Sequence, residues 1–245
     1  MKVAFAVLGD SFVDVVAGTL APDQLPKWGG TDAFAPVLKS HLDSHGVALS
    51  SPVIDGVPTG VCIQDRSFIT HYGAARKFSV EHIDEKKVLA ADHLHIGGFY
   101  SCSNLQGNLK PLLEKAHAKG ITISLDTNYD SSEAWDGLQE LLPLLDVFLP
   151  NEVEAMKISR TDSMDAAMAY FTQHVPGLTV IKIGEGGARA HCAKTNTTWM
   201  QSSFQTQVVD VTGAGDSFNA GFLSTWKATN GDVQEALKWG CATAS

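Results

Sequence analysis

The chain has 245 residues, 44% apolar and 18% charged, with a formal net charge of −9 and a pI of about 5.4. That length suits one large domain with at most a small appendage. The acidic balance argues against sequence-independent nucleic-acid binding, which needs a basic surface; an anionic ligand is still open, since backbone amides and a metal ion supply local positive potential. No apolar run approaches the roughly 18 residues of a membrane span. Met1-Lys2 leads only into a short apolar stretch ending at Gly9-Asp10, unlike a signal peptide. Cys62, Cys102, Cys192 and Cys241 form no Cys-x-x-Cys pair, which argues against a zinc site and suits reduced thiols in the cytoplasm.

In chain order, the run from Val3 to Leu8 is continuously apolar and stops at Gly9-Asp10, the pattern of a strand buried on both faces of a parallel sheet. Ser11 to Gly18 and Gly60 to His71 have mixed polarity and could pair as a small sheet outside the main domain. Further buried strands are expected at His93–Ile96, Ile121–Leu125, Val147–Leu149 and Leu178–Ile183, each ended by glycine, aspartate or proline. Between them the spacing predicts one helix from Asn104 to Lys119, capped by Asn104 and ended by Gly120. Others are predicted from Ser163 to His174, from Gly215 to Ala228, and from Val233 onward. Strands alternating with helices imply a mostly parallel α/β sheet covered on both faces, with ligands beyond the carboxyl ends of the strands.

The stretch Val208-Val-Asp-Val-Thr-Gly-Ala-Gly-Asp-Ser-Phe-Asn-Ala-Gly-Phe222 carries the most chemistry. A strand end enters Thr212-Gly213-Ala214-Gly215-Asp216 and then an apolar helix. Small residues allow a tight turn and close approach of a ligand, and the first amides of a helix can hold a growing negative charge. Asp216 is placed to take a proton from an attacking hydroxyl, being ionised at neutral pH without special tuning. Read without context, the same residues make a tight turn and a first-turn acid favoured by the helix dipole.

The whole string resembles the C-terminal signature of the PfkB, or ribokinase-like, carbohydrate kinase family. Five other segments resemble that family in order: Gly9-Asp10-Ser-Phe-Val-Asp14, Pro58-Thr59-Gly60-Val61, Leu125-Asp126-Thr127-Asn128, Pro150-Asn151-Glu152-Val153-Glu154, and Lys182-Ile183-Gly184-Glu185-Gly186-Gly187. The resemblance implies a single ribokinase-like domain with a small β lid near residues 11–30 and 58–73. It implies transfer of a phosphoryl group from ATP to a hydroxymethyl group of a sugar or nucleoside, with Asp216 as base and the amides of Gly213, Ala214 and Gly215 as anion hole. It further implies that Asp14 and Asn128 bind substrate, that Lys182, Gly184 and Gly187 lie by the nucleotide, and that Asn151 and Glu154 arrange Mg2+. Asp210 and Thr212 match part of a monovalent-cation (K+) site. Some relatives pair lid strands across a homodimer. On the residues alone, Asn151 and Glu154 equally make a helix capping box, and Gly184 to Gly187 a hairpin loop.

Three departures stand beside these matches. The family's Gly-Gly signature with its Asn-rich helix start is missing: Lys27-Trp-Gly-Gly30 passes directly to Asp32, so a helix, a strand and several substrate contacts are expected to be lacking near residues 30–32. The C-terminus is expected to be short of its adenine-contacting residues. Asp130 stands where many relatives have arginine; facing substrate, it would disfavour a phosphorylated sugar. These departures keep open a catalytically impaired sugar- or nucleotide-binding member of the same fold. A dinucleotide-binding oxidoreductase is disfavoured, because no Gly-x-Gly-x-x-Gly follows the first strand. His93-Leu-His95 is read as strand, with no third ligand evident for a metal.

Overall fold

The computed structural model describes residues 5–8, 12–16, 44, 60–65, 67–208 and 211–245. Its centre is a seven-stranded sheet in the order β1 (Phe5–Leu8), β5 (His93–Ile96), β6 (Thr122–Leu125), β7 (Val147–Phe148), β8 (Leu178–Lys182), β9 (Ala188–Cys192) and β10 (Thr197–Gln201). From β1 to β8 the pairing is parallel, with Leu8 opposite Ile96 and Ile96 opposite Leu125. β9 and β10 then add as an antiparallel meander, so Gly184 to Gly187 does form a hairpin connection. β2 (Phe12–Val16), β3 (Gly60–Asp65) and β4 (Ser67–His71) make a separate three-stranded sheet. The expectation that these two mixed-polarity segments pair with each other is met. The gap near residues 30–32 lies outside the described residues.

The apolar runs are buried on both faces, as a parallel sheet requires. Leu94, Ile96, Ile123, Leu125, Phe148 and Ile181 belong to a core completed by α1 (Leu109–Ala118), α2 (Glu152–Ser159) and α3 (Met164–His174). Val147, Leu149, Leu178 and Val180 point the other way, to α4 (Ala214–Ala228) and α5 (Val233–Ala244), where Phe218, Phe222, Ala236 and Leu237 are fully or almost fully buried. The family-level class expected from the sequence, a mostly parallel α/β sheet covered on both faces, is the observed one.

The predicted helix from Asn104 to Lys119 is a correction. A single helical turn at Ser103–Gln106 stops at Gly107, and α1 starts afresh at Leu109. Pro111 is the reason: it lacks an amide hydrogen, and its ring would strike the carbonyl four residues back, but it is tolerated in a first turn. Asn104 is therefore inside the short turn and caps nothing. The other end is as expected: Gly120 adopts φ 75°, and the Gly120 and Ile121 amides return to the carbonyls of His117 and Ala116 at 2.9 and 3.1 Å. This double bond pattern closes a helix on a left-handed glycine.

Candidate active site

The carboxyl ends of β6, β7 and β8 deliver Asp126, Asn151 and Lys182 to one place. Lys182 extends β8, its amide bonding the Pro150 carbonyl at 3.0 Å, and it bridges in parallel to Asn151. Its side chain, 12% exposed, ends 2.7 Å from Asp126 Oδ2. Asn219 completes the group: its Oδ1 accepts from Lys182 Nζ at 3.4 Å, and its Nδ2 donates to the same Asp126 oxygen. Asp126 Oδ1 accepts the Asn128 amide at 3.3 Å, which folds the strand end over with Asn128 at φ 53°. Burial pushes the Asp126 carboxyl up, but the Lys182 ammonium, its hydrogen bond, Asn219 and the nearby His95 outweigh this and hold it below the ordinary carboxylate range.

Asn219 comes from the second turn of α4, so this cluster touches the glycine-rich turn. A side-chain carbon placed on Gly215 would lie 3.6 Å from Lys182 Nζ. Gly213 caps the helix in a left-handed conformation, φ 73°, and Ser217 is bonded to its carbonyl at 2.8 Å. The Ala214 amide donates to the Val211 carbonyl at 3.1 Å. Asp216 and Thr212 are both exposed at this turn.

Asn151 and Glu154 realise the capping box read from their spacing: each side chain accepts the other's amide, both at 2.9 Å. Glu154 is 4% exposed and also accepts from Thr127 Oγ1 at 3.2 Å. Burial first, and then the Asp126 charge, push its carboxyl up to about 7. Oxygen-only donors with a buried carboxylate strained toward neutrality fit Mg2+, which takes few protein oxygens and keeps waters. The described residues hold no group of three or more histidine, cysteine or acidic side chains poised for a metal.

The nucleotide loop has its own steric logic. Gly187 lies at φ 88°, and any side chain there would run into the Gln201 carbonyl where the chain leaves β10. Gly184, at φ 56°, has open space before it. Asp14 sits in β2 opposite Cys62, with its side chain outside the described set, and Asp210 lies outside the described residues.

Asp130 corrects a premise. It is 6% exposed, and its oxygens accept from the Ser132 amide at 2.9 Å, the Ser132 hydroxyl at 2.7 Å and the Trp135 amide at 2.8 Å. It organises its own loop rather than facing a ligand, so it gives no ground for excluding a phosphorylated sugar. The histidines of β5 share a bond to Ser124: His93 Nε2 and His95 Nδ1 reach its hydroxyl at 2.7 and 2.8 Å. Sequence reasoning missed Asp126 and Asn219. Asp126 stood within the Asp-x-Asn segment and Asn219 within the glycine-rich signature string, but nothing local pointed either to its partner.

The sequence model of the pfkB family of carbohydrate kinases matches residues 29–245. An ATP-dependent ribose-1-phosphate kinase from Halopiger xanaduensis is 30% identical over 86% of this chain and 69% of its own. An adenosine kinase from Dictyostelium discoideum is 24% identical over 80% of this chain and 64% of its own. The Escherichia coli structure described as a ribokinase II in complex with ATP and Mg2+ superposes with a TM-score of 0.85 at 24% identity, covering 99% of this chain and 92% of that one. The chain belongs to the pfkB family of carbohydrate kinases. Members of that family are phosphotransferases with an alcohol acceptor, a sugar or a nucleoside. Among the described residues no helix is long and apolar enough to cross a membrane.

Proposed function

We propose that the chain transfers the γ-phosphoryl group of ATP to a hydroxymethyl group of a sugar or nucleoside, with Asp216 as the base. The observation that carries this reading is the meeting of Lys182 with the first turn of α4, on the strand-end side of the sheet, beside a buried Glu154. A cation and a helix N-terminus aimed at one spot suit the oxygens of a transferring phosphoryl group.

The chain's own residues divide the work. Asp216, at the exposed mouth of that turn, takes the proton of the acceptor hydroxyl as it attacks. The amides of Gly213 and Gly215 receive the phosphoryl oxygens. The Ala214 amide joins them by giving up its bond to the Val211 carbonyl. Lys182 neutralises phosphate charge, while Gly184 and Gly187 let the nucleotide approach backbone. Glu154, steadied by Asn151, would hold Mg2+, which supplies charge neutralisation on the phosphates when bound. Asp14 and Asn128 hold substrate hydroxyls, and the β2–β3–β4 sheet acts as the lid that excludes water. Asp210 and Thr212 would contribute to a K+ site, and lid strands could pair in a homodimer. The relatives act, by their names, on a sugar phosphate and on a nucleoside, and both stay within the acceptor class.

The test is ATP- and Mg2+-dependent phosphoryl transfer across a panel of sugars, sugar phosphates and nucleosides, alongside Asp216→Asn. One acceptor turned over by the native chain and lost in the variant supports the proposal. Turnover that survives D216N removes Asp216 as the base.

A further inference from the structure

We propose that Asp126 is a positioning residue for phosphoryl transfer: through its bond to Lys182, and with Asn219 as brace, it holds the Lys182 ammonium against the first turn of α4. This rests on the kinase reading above and gives a role to a residue that the sequence reading left without one.

The arrangement is costly to the fold. A buried ion pair rarely stabilises a fold more than an apolar pair of the same size would, because both charges lose their water. Its retention at a strand end therefore asks for another role. The geometry supplies one. Asp126 comes from β6, Lys182 from β8 and Asn219 from α4, so three separate elements converge on one ammonium group. Lysine is a flexible point charge with four rotatable carbons and three hydrogens. Left alone in this crevice it would sample several rotamers. Here one hydrogen points to Asp126 at 2.7 Å and one toward Asn219 at 3.4 Å, leaving a third beyond these two acceptors. Both Asp126 oxygens are occupied in turn, Oδ1 by the Asn128 amide and Oδ2 by Lys182 and Asn219. Three donors thus occupy a carboxylate with about four lone-pair sites, and the charged one among them is the lysine, so holding Lys182 is the main role its bonds describe. The pair presents its positive end to Gly215, which has no side chain to block it. Preorganised charge at that spot assists the transition state without moving during reaction, whereas a loose lysine would have to be ordered each time.

Two measurements test this. The first is steady-state transfer by the native chain, D126N, K182M and D126N/K182M, with melting curves for each. D126N is expected to lower kcat by about tenfold to a hundredfold, less than the roughly hundredfold to thousandfold loss of a preorganised donor itself because the lysine remains, with the KM for ATP changed less than about threefold. The double variant should be no slower than K182M, because Asp126 acts only through Lys182. A D126N penalty as large in the K182M background as in the native one overturns the proposal, as does D126N with native kcat. D126N leaves a buried ammonium without its counter-charge; if it does not fold, Asp126→Ser takes its place in the same four-way comparison, read by the same criterion.

The second measurement is trace acetylation with acetic anhydride, read by peptide mass, with and without ATP and Mg2+. Protection of Lys182 by ATP, diminished in D126N or in its place an Asp126→Ser variant, supports the proposal. Equal labelling of Lys182 with and without ATP overturns it. This readout needs no acceptor, so failure to find kinase turnover and failure of the positioning role are separate results.

Discussion

His93 and His95 show how one hydroxyl sets the state of two rings. They alternate with Leu94 and Ile96 along β5, so both imidazoles face the α4 side while the aliphatic pair enters the opposite core. Ser124 lies between the rings, its hydroxyl within hydrogen-bond distance of both, and with one proton it can donate to only one of them. Thr122 takes the remaining His93 nitrogen at 2.7 Å and receives Lys227 Nζ at 3.0 Å, and Trp226 meets the His93 ring edge-on. Burial, then the neighbouring His95 and Lys227, push His93 down to about 3; burial is also the main cause that takes His95 to about 4. An unfolded imidazole takes its proton near 6.5. Between these values the unfolded chain binds more protons than the folded one, so stability present above pH 6.5 falls as the pH drops. At pH 5 the loss from His93 is about 2 kcal/mol. Glu154, held at about 7, works the other way over this range, so the histidine contribution is read by difference: between pH 7.5 and pH 4.5 the urea midpoint of His93→Gln should fall less, or rise more, than that of the native chain. An equal change of midpoint in both chains would show that other groups carry it.

The elements around the site are held by close backbone contact as much as by apolar burial. α4 and α5 cross where Gly221 faces the Trp239 carbonyl, and where Gly240 admits the Phe218 ring. A side-chain carbon on Gly221 would stand 2.6 Å from that carbonyl, a fixed atom that cannot rotate away. Gly221→Ala is therefore expected to destabilise the fold by about 1–3 kcal/mol through overpacking, despite alanine's better helix propensity. Calorimetric melting checks this; a variant as stable as the native chain would mean that the two helices separate freely. α2 starts on the Asn151–Glu154 capping box, which has a local duty independent of any metal. The break before α1 follows from Pro111, and that signal was present in the sequence although the apolar spacing ran across it.

The main sheet and its helices place Asp126, Asn151, Lys182 and the start of α4 at the carboxyl ends of its parallel strands. Its order lets β6, β7 and β8 end beside one another, and α4 begins over them. Ligand that binds only the folded chain raises its melting temperature by mass action. With ATP and Mg2+ at about a hundredfold their dissociation constant, the gain is about 2.7 kcal/mol, or roughly 5–10 °C for a chain of this size. D216N should keep that shift while losing turnover, because Asp216 is assigned to the acceptor proton and not to nucleotide binding. Loss of both together would place Asp216 in nucleotide binding instead.

Much of this was legible in the chain itself. Short runs rich in apolar residues and ended by glycine, aspartate or proline marked β5, β6, β7 and β8 nearly to their ends, although β5 and β6 carry polar residues at alternate positions. The Thr212–Asp216 turn and the Asn151–Glu154 pair were visible because their chemistry is local: positive φ, a cap and an acid within a few residues. The union of Asp126 with Lys182 and Asn219 was not, since these lie 56 and 93 residues from Asp126 in the chain. Nor was the inward turn of Asp130. Local pattern reports what a residue does to its neighbours along the backbone; an ion pair between strand ends exists only after the sheet order brings those ends together, and only tertiary structure decides which oxygen each donor meets.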